Sequence, residues 1–144
     1  MTKITNMSSA IVDAQARVFS DLLAGGFIEF YGGEMPADAD TPVANQVRGA
    51  TLRFGDPVAF GDPAAGIVIA RPIESAICER SIIATWARMS TRDHLPVQDV
   101  SVGVNDEVII VPTTQFTAGC TVSIGFYAHT VTKDEGAAEG VAEF

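Results

Sequence analysis

Hydrophobic positions along this chain follow a helical spacing once, near the start, and a strand spacing afterwards. Between Ser8 and Ala24, Ile11, Ala14, Val18 and Leu22 share one helical face, and Phe19 and Leu23 widen the stripe. Ser8 or Ser9 supplies a capping hydroxyl, and Gly25-Gly26 provides a left-handed stop. Asp13, Gln15, Arg17 and Asp21 cover much of the remaining surface. Such a helix must lie on something. A membrane-surface helix carries Lys and Arg on its polar face, whereas this one carries mostly acid, so the stripe predicts packing on protein.

After Gly26 the period changes to two. Strands are predicted at Phe27–Tyr31, Gln46–Phe54, Ile67–Ala70, Ile73–Cys78, Ile82–Met89, Val97–Val102, Glu107–Val111 and Cys120–Val131. In the last, Val122, Ile124, Phe126 and Ala128 alternate with Thr121, Ser123, Gly125, Tyr127 and His129. About eight short strands separated by Gly, Pro and Asp turns predict a mainly β fold, a jelly roll or β-sandwich, with one N-terminal amphipathic helix. The segment from Gly32 to Asn45, with Pro36 and Pro42, reads as an exposed loop. Phe54-Gly55-Asp56-Pro57 and Phe60-Gly61-Asp62-Pro63 repeat one turn, with two aromatic rings available to pin it. The chain thus divides into an arm and helix (1–26), a β domain (27–131) and an acidic Gly/Ala-rich tail (132–144) that alone would have no structure.

Composition removes several functions. Net charge is −9, against the clustered Lys and Arg that a phosphate backbone needs, so no nucleic-acid partner is expected. No apolar run approaches the roughly 18 residues of a membrane span. The N-terminus has no hydrophobic signal core, so synthesis in the cytosol is expected. Only Lys3 and Lys133 are lysines; every other base is arginine: Arg17, Arg48, Arg53, Arg71, Arg80, Arg88 and Arg92. Arginine suits interface ion pairs, and codon bias explains the same pattern equally well.

Candidate chemistry is thin. His94, beside Asp93 in Ser90-Thr91-Arg92-Asp93-His94, has the types of a base and its orienter, but no nucleophile accompanies it and a solvated hairpin tip accounts for it. His129 is expected on a polar strand face, at the surface or an interface. Asp56 and Asp62 offer carboxylates to calcium but lack the spacing of a calcium loop, and read as turn residues. Cys78 and Cys120 have no zinc spacing and read as two buried thiols. Gly25-Gly26 and Gly32-Gly33 lack the helix and Lys of a phosphate cradle. Trp86 reads as core rather than a stacking platform. No catalytic, cofactor or metal residue is assigned, and the chain is expected not to be an enzyme.

Read in order, the chain carries a series of strand and turn motifs. After the helix comes an "LEIYDG-x-QP" type strand and turn, here Phe27-Ile28-Glu29-Phe30-Tyr31-Gly32-Gly33-Glu34-Met35-Pro36. An "LATLTFSDPAFG" type strand follows as Gly49-Ala50-Thr51-Leu52-Arg53-Phe54-Gly55-Asp56-Pro57-Val58-Ala59-Phe60-Gly61. Trp86-Ala87-Arg88 and Asp93-His94 match a "W-x-R" strand and turn, and Val100-Ser101-Val102-Gly103 matches "GSVG". The pattern ends in "TAGDTVSV", here Thr117-Ala118-Gly119-Cys120-Thr121-Val122-Ser123-Ile124, with Cys120 in place of an acid. In this order, over roughly residues 8 to 131, the chain resembles a family of small proteins from tailed bacteriophages, and the resemblance implies a virion structural protein, most like a capsid cement or decoration protein. It implies the major capsid protein and further copies of this chain, as dimer or trimer, as partners, no cofactor, and a seat on the capsid exterior. The helix, the terminal arms and the arginines are the implied contacting elements. A tail or head-tail adaptor component is the neighbouring alternative. A carbohydrate-binding β-sandwich is a third, and would need exposed rings from Tyr31, Trp86 and Tyr127.

Overall fold

The computed structural model describes residues 8–105, 107–131 and 138–143, the last by backbone alone. Helix α1 spans Ser9–Leu23, capped by the Ser8 hydroxyl, which accepts from Ile11 N–H at 3.3 Å. Gly25 ends it at φ 68°, the left-handed conformation that glycine adopts without penalty.

The strands follow as β1 (Phe27–Gly32), β2 (Val47–Arg53), β3 (Ile67–Ile69), β4 (Ala76–Ile77), β5 (Ile82–Ser90), β6 (Pro96–Gly103), β7 (Ile109–Ile110), β8 (Gln115–Phe116), β9 (Thr121–Val122), β10 (Phe126–Val131) and β11 (Ala138–Glu143). The fold is mainly β with one N-terminal helix, as the alternating pattern predicts. One sheet runs in the order β2-β1-β5-β6-β7-β11-β10-β3, with β8 added alongside β5. Within it β7 is parallel to both β6 and β11, and the other pairs are antiparallel. A separate ribbon of β4 and β9 lies along β2, tied there by Glu74 N–H to Arg53 O at 2.8 Å and Glu79 N–H to Gly49 O at 2.7 Å.

The sheet curls so that its two halves face each other. The Tyr127 hydroxyl on β10 reaches Met89 Sδ on β5 at 3.6 Å, although β6, β7 and β11 separate these strands along the sheet. Phe30, Leu52, Met89, Val100, Ile109, Val68 and Tyr127 therefore share one core. Helix α1 closes one side of it, packing against β3, β5 and β10 through Val12, Ala16 and Leu23.

The repeated turn does what its rings imply. Phe54 and Phe60 are buried with centroids 5.6 Å apart, and Phe60 lies 5.9 Å from Tyr127. Residues 60–64 then fold back along β3, with Gly61 N–H to Ile69 O at 2.9 Å and a mutual Ala64–Ile67 pair at 3.0 Å. This return covers an edge that would otherwise offer free backbone groups to another chain. Gly66 makes the tight turn at φ 78°, where a Cβ would collide with Val131 O and Val12 Cγ1.

Two expectations change. The predicted final strand is broken at Ser123-Ile124-Gly125 into β9 and β10, and the break shifts the alternation by one residue. Val122 and Ile124 are buried, but beyond the break it is Tyr127, His129 and Val131 that point inward, while Phe126 is exposed. Residues 138–143 of the tail form β11, because ladders to β10 and β7 supply what its Gly/Ala-rich composition lacks. Residues 1–7 of the arm and 132–137 and 144 of the tail lie outside the described residues.

Candidate interaction surface

Helix α1 carries two apolar rows instead of one. Val12, Ala16, Phe19 and Leu23 face the sheet; Ile11, Val18 and Leu22, with Ala14 and Gln15 beside them, face outward. Ile11 is 51% exposed, Val18 59% and Leu22 46%. The stripe expected to be the packing face is thus the solvent face, a correction with a plain cause. Both rows repeat at i, i+4, i+7 and i+11, so the periodicity fits either, and small Ala16 and Ser20 let the second row sit closer to the strands.

The rim of the outer row is mostly acidic. Asp13 accepts from Gly66 N–H at 2.7 Å, Arg17 lies 3.7 Å from Asp62, and Asp21 is exposed. A shallow cleft of about 440 Å³ runs along this flank, lined by Ala10, Asp13, Ala14, Arg17, Val18 and Asp21.

A second apolar surface lies on the far side of the strands that α1 covers. Val68, Tyr127, His129 and Val131 point toward the core, so Ile67 and Ile69 on β3 and Phe126 on β10 point away, 40%, 52% and 43% exposed. At its end a cleft of about 260 Å³ is lined by Arg71, Pro72, Ile73, Ile124, Gly125 and Phe126, among others. The two surfaces stand on opposite sides of the β3–β10 layer.

Charged and polar groups are largely spent inside the fold. On the outer face of β1, β5 and β6, Arg88 makes a two-pronged contact with Asp99, Nε to Oδ1 at 2.7 Å and Nη2 to Oδ2 at 3.0 Å, and donates to Thr41 O at 2.8 Å. Trp86, fully buried, stacks on Tyr31 at 4.6 Å with the Arg88 guanidinium 5.4 Å from its ring. Glu29 takes Arg48 at 3.0 Å and the Tyr31 hydroxyl at 3.4 Å. Burial, with Glu29 adding to it, pushes the Tyr31 phenol up to about 12, and the hydrogen bonds to Glu29 and Asp99 raise Arg48 and Arg88 respectively. The loop from Gly32 to Asn45 is mostly exposed, as expected, yet through Thr41 it pins this layer.

The residues weighed for chemistry are not brought together. His94 sits at the β5–β6 turn with φ 64°, its ring flat on Phe27 at 4.4 Å. Asp56 pairs with Arg92 and, at 3.7 Å, with Arg53; Asp62 pairs with Arg17. Cys78 and Cys120 are free thiols on neighbouring segments, Cys78 buried and Cys120 half-buried; burial pushes the Cys78 thiol up. Among the described residues no three His, Cys, Asp or Glu side chains gather as a metal site would need. No described helix is long and apolar enough to cross a membrane.

His129 overturns its expectation most clearly. The one-residue shift turns it inward, 3% exposed, with its ring stacked on Phe19 of α1 at 3.6 Å and its Nδ1 without a hydrogen-bond partner. Burial lowers its pKa from 6.5 to about 4. The neutral ring is therefore favoured by folding, the stabilisation is complete above pH 6.5, and it is lost as pH falls from 6.5 toward 4. The loss attributable to His129 is expected to reach about 3 kcal/mol at pH 4. Urea midpoints of wild type and His129→Met across that window check this; parallel curves would show that the imidazole has no part in acid sensitivity.

No protein-family model, curated protein or solved structure matches the chain.

Proposed function

We propose that this chain is a non-enzymatic capsid cement protein of a tailed bacteriophage, seated outside the assembled shell and bridging neighbouring major capsid subunits. The observation that carries this reading is the pair of apolar surfaces on opposite sides of the β3–β10 layer, Ile11, Val18 and Leu22 on one and Ile67, Ile69 and Phe126 on the other. A bridge needs two docking faces that do not compete, and clustered exposed apolar side chains mark docking faces. The order of strand and turn motifs resembling phage proteins supplies the particle.

The magnitudes fit a lattice ligand. Burying the exposed halves of Ile11, Val18 and Leu22 contributes on the order of 3 kcal/mol. That falls short of the roughly 4 kcal/mol that corresponds to millimolar affinity. Two or more such contacts made together on a repeating surface give avidity that neither face has alone. A ligand that binds only the expanded shell stabilises that state by mass action against internal DNA pressure. The rings required of a carbohydrate platform, Tyr31, Trp86 and Tyr127, are all buried.

The test is sedimentation of the purified protein with empty heads built from the major capsid protein of the same genome, before and after expansion. Near-stoichiometric pelleting with expanded heads alone is the expected result. A folded protein that pellets with neither form would sink the cement reading in favour of a tail or adaptor role.

A further inference from the structure

We infer that the outer row of α1 is the shell-seating surface, and that it enters an apolar groove on the shell whose rim is basic. This rests on the cement reading and adds to it which face touches the shell and what chemistry receives it.

The spacing comes first. Ile11, Gln15, Val18 and Leu22 stand at i, i+4, i+7 and i+11, which forms a single narrow ridge along the helix. A ridge of that width fits a groove between two packed elements better than a flat surface. The inward row on the same helix already seats on β3, β5 and β10 in this way.

Size and charge then choose the occupant. A helix of 15 residues offers a footprint about 22 Å by 10 Å, roughly 220 Å². A stable interface between two free molecules needs about 800 Å² from each. The row is too small to hold a second copy in solution and adequate for a contact repeated over a lattice. Charge works the same way. With Asp13, Asp21 and Asp62 against Arg17, the rim sums to −2, and the chain carries −9. A second copy, or an anionic lipid surface, would be repelled; a rim of Lys and Arg would be attracted.

The test uses the full chain with expanded empty heads. The triple substitution Ile11→Ser, Val18→Ser, Leu22→Gln removes the ridge at positions about half exposed, so circular dichroism should match wild type and the urea midpoint should fall without loss of cooperativity. Its affinity for heads is expected to fall at least tenfold. Asp21→Lys is expected to weaken binding several-fold at low salt, the difference disappearing near 0.5 M salt as screening takes over. Three results would overturn the inference while leaving the cement reading standing. One is wild-type affinity in the folded triple variant. Another is tighter binding by Asp21→Lys, which would mean an acidic rim. The third is a concentration-dependent dimer in sedimentation equilibrium that the triple variant abolishes, which would make a second copy the occupant. Failure of the wild type to bind heads at all would instead refute the cement reading itself.

Discussion

Arg88→Met is expected to destabilise the fold by about 3–5 kcal/mol, because it leaves the Asp99 carboxylate buried without its counter-charge. The side chains of Arg88 and Asp99 are 8% and 6% exposed, so water cannot replace the lost partner. The same change removes the donor to Thr41 O, one of the contacts that tie the loop between β1 and β2 to the sheet, alongside Thr85 Oγ1 to Gly33 O. Two readouts separate these effects. Urea unfolding followed by far-ultraviolet circular dichroism gives the stability, and hydrogen exchange at residues 38–46 reports whether the loop has come loose. The double change Arg88→Met, Asp99→Leu should recover most of the stability, since both charges then escape desolvation, but not the loop protection. A single variant within 1 kcal/mol of wild type would mean that the pair is better hydrated than its geometry shows.

Removing residues 132–144 is expected to abolish cooperative unfolding. Strand β11 pairs with β10 over six positions and with β7 over two, and among the described strands it is the one that joins them in the sheet order. Each ladder bond is worth on the order of 1 kcal/mol and an unpaired buried group costs more, against a total stability of about 5–15 kcal/mol for a domain. Without β11 the strands divide into β2-β1-β5-β6-β7 and β10-β3, joined through side chains and through the backbone bonds of the β4–β9 ribbon to β2. Tyr127 and Val131 would be held over the core from the β3 side alone, by the bonds to Ala70 and Gly66. The expected readouts are a collapsed amide nuclear magnetic resonance spectrum, dye binding to exposed apolar surface and a shallow urea curve. A truncated chain that unfolds sharply with wild-type slope would show that the sheet closes without this strand.

Much of this architecture is legible in the sequence, and its gaps have physical reasons. β1, β2, β5 and β6 appear within a residue or two of expectation, because β-branched and aromatic residues alternate there between Gly, Pro and Asp turns. The two-residue strand β8, which lies in none of the predicted segments, carries too few positions for a period to register. The break at Ser123-Ile124-Gly125 leaves the composition of the region unchanged while inverting which residues face inward, and that inversion hides His129. On α1 the periodicity reports an amphipathic helix correctly and cannot say which of two adjacent rows meets the sheet. The Arg88–Asp99 pair joins residues eleven apart and becomes visible only once the β5–β6 register sets Arg88 opposite Asp99. Trp86 is buried as expected, though beneath a loop and an arginine on the sheet's outer face rather than in the central core.

The place of β11 also fixes when the molecule can become itself. Chain order and spatial order disagree here: the strand at the middle of the β7–β10 junction is the last described element to be made. A ribosome adding about 5–20 residues per second completes β10 on the order of a second before the segment that joins it to β7. During that interval β7 and β10 present unfilled edges. A chain stopped before β11 therefore has no strand to join β7 to β10. Nascent and prematurely terminated copies would thus lack the closed sheet that carries both apolar faces.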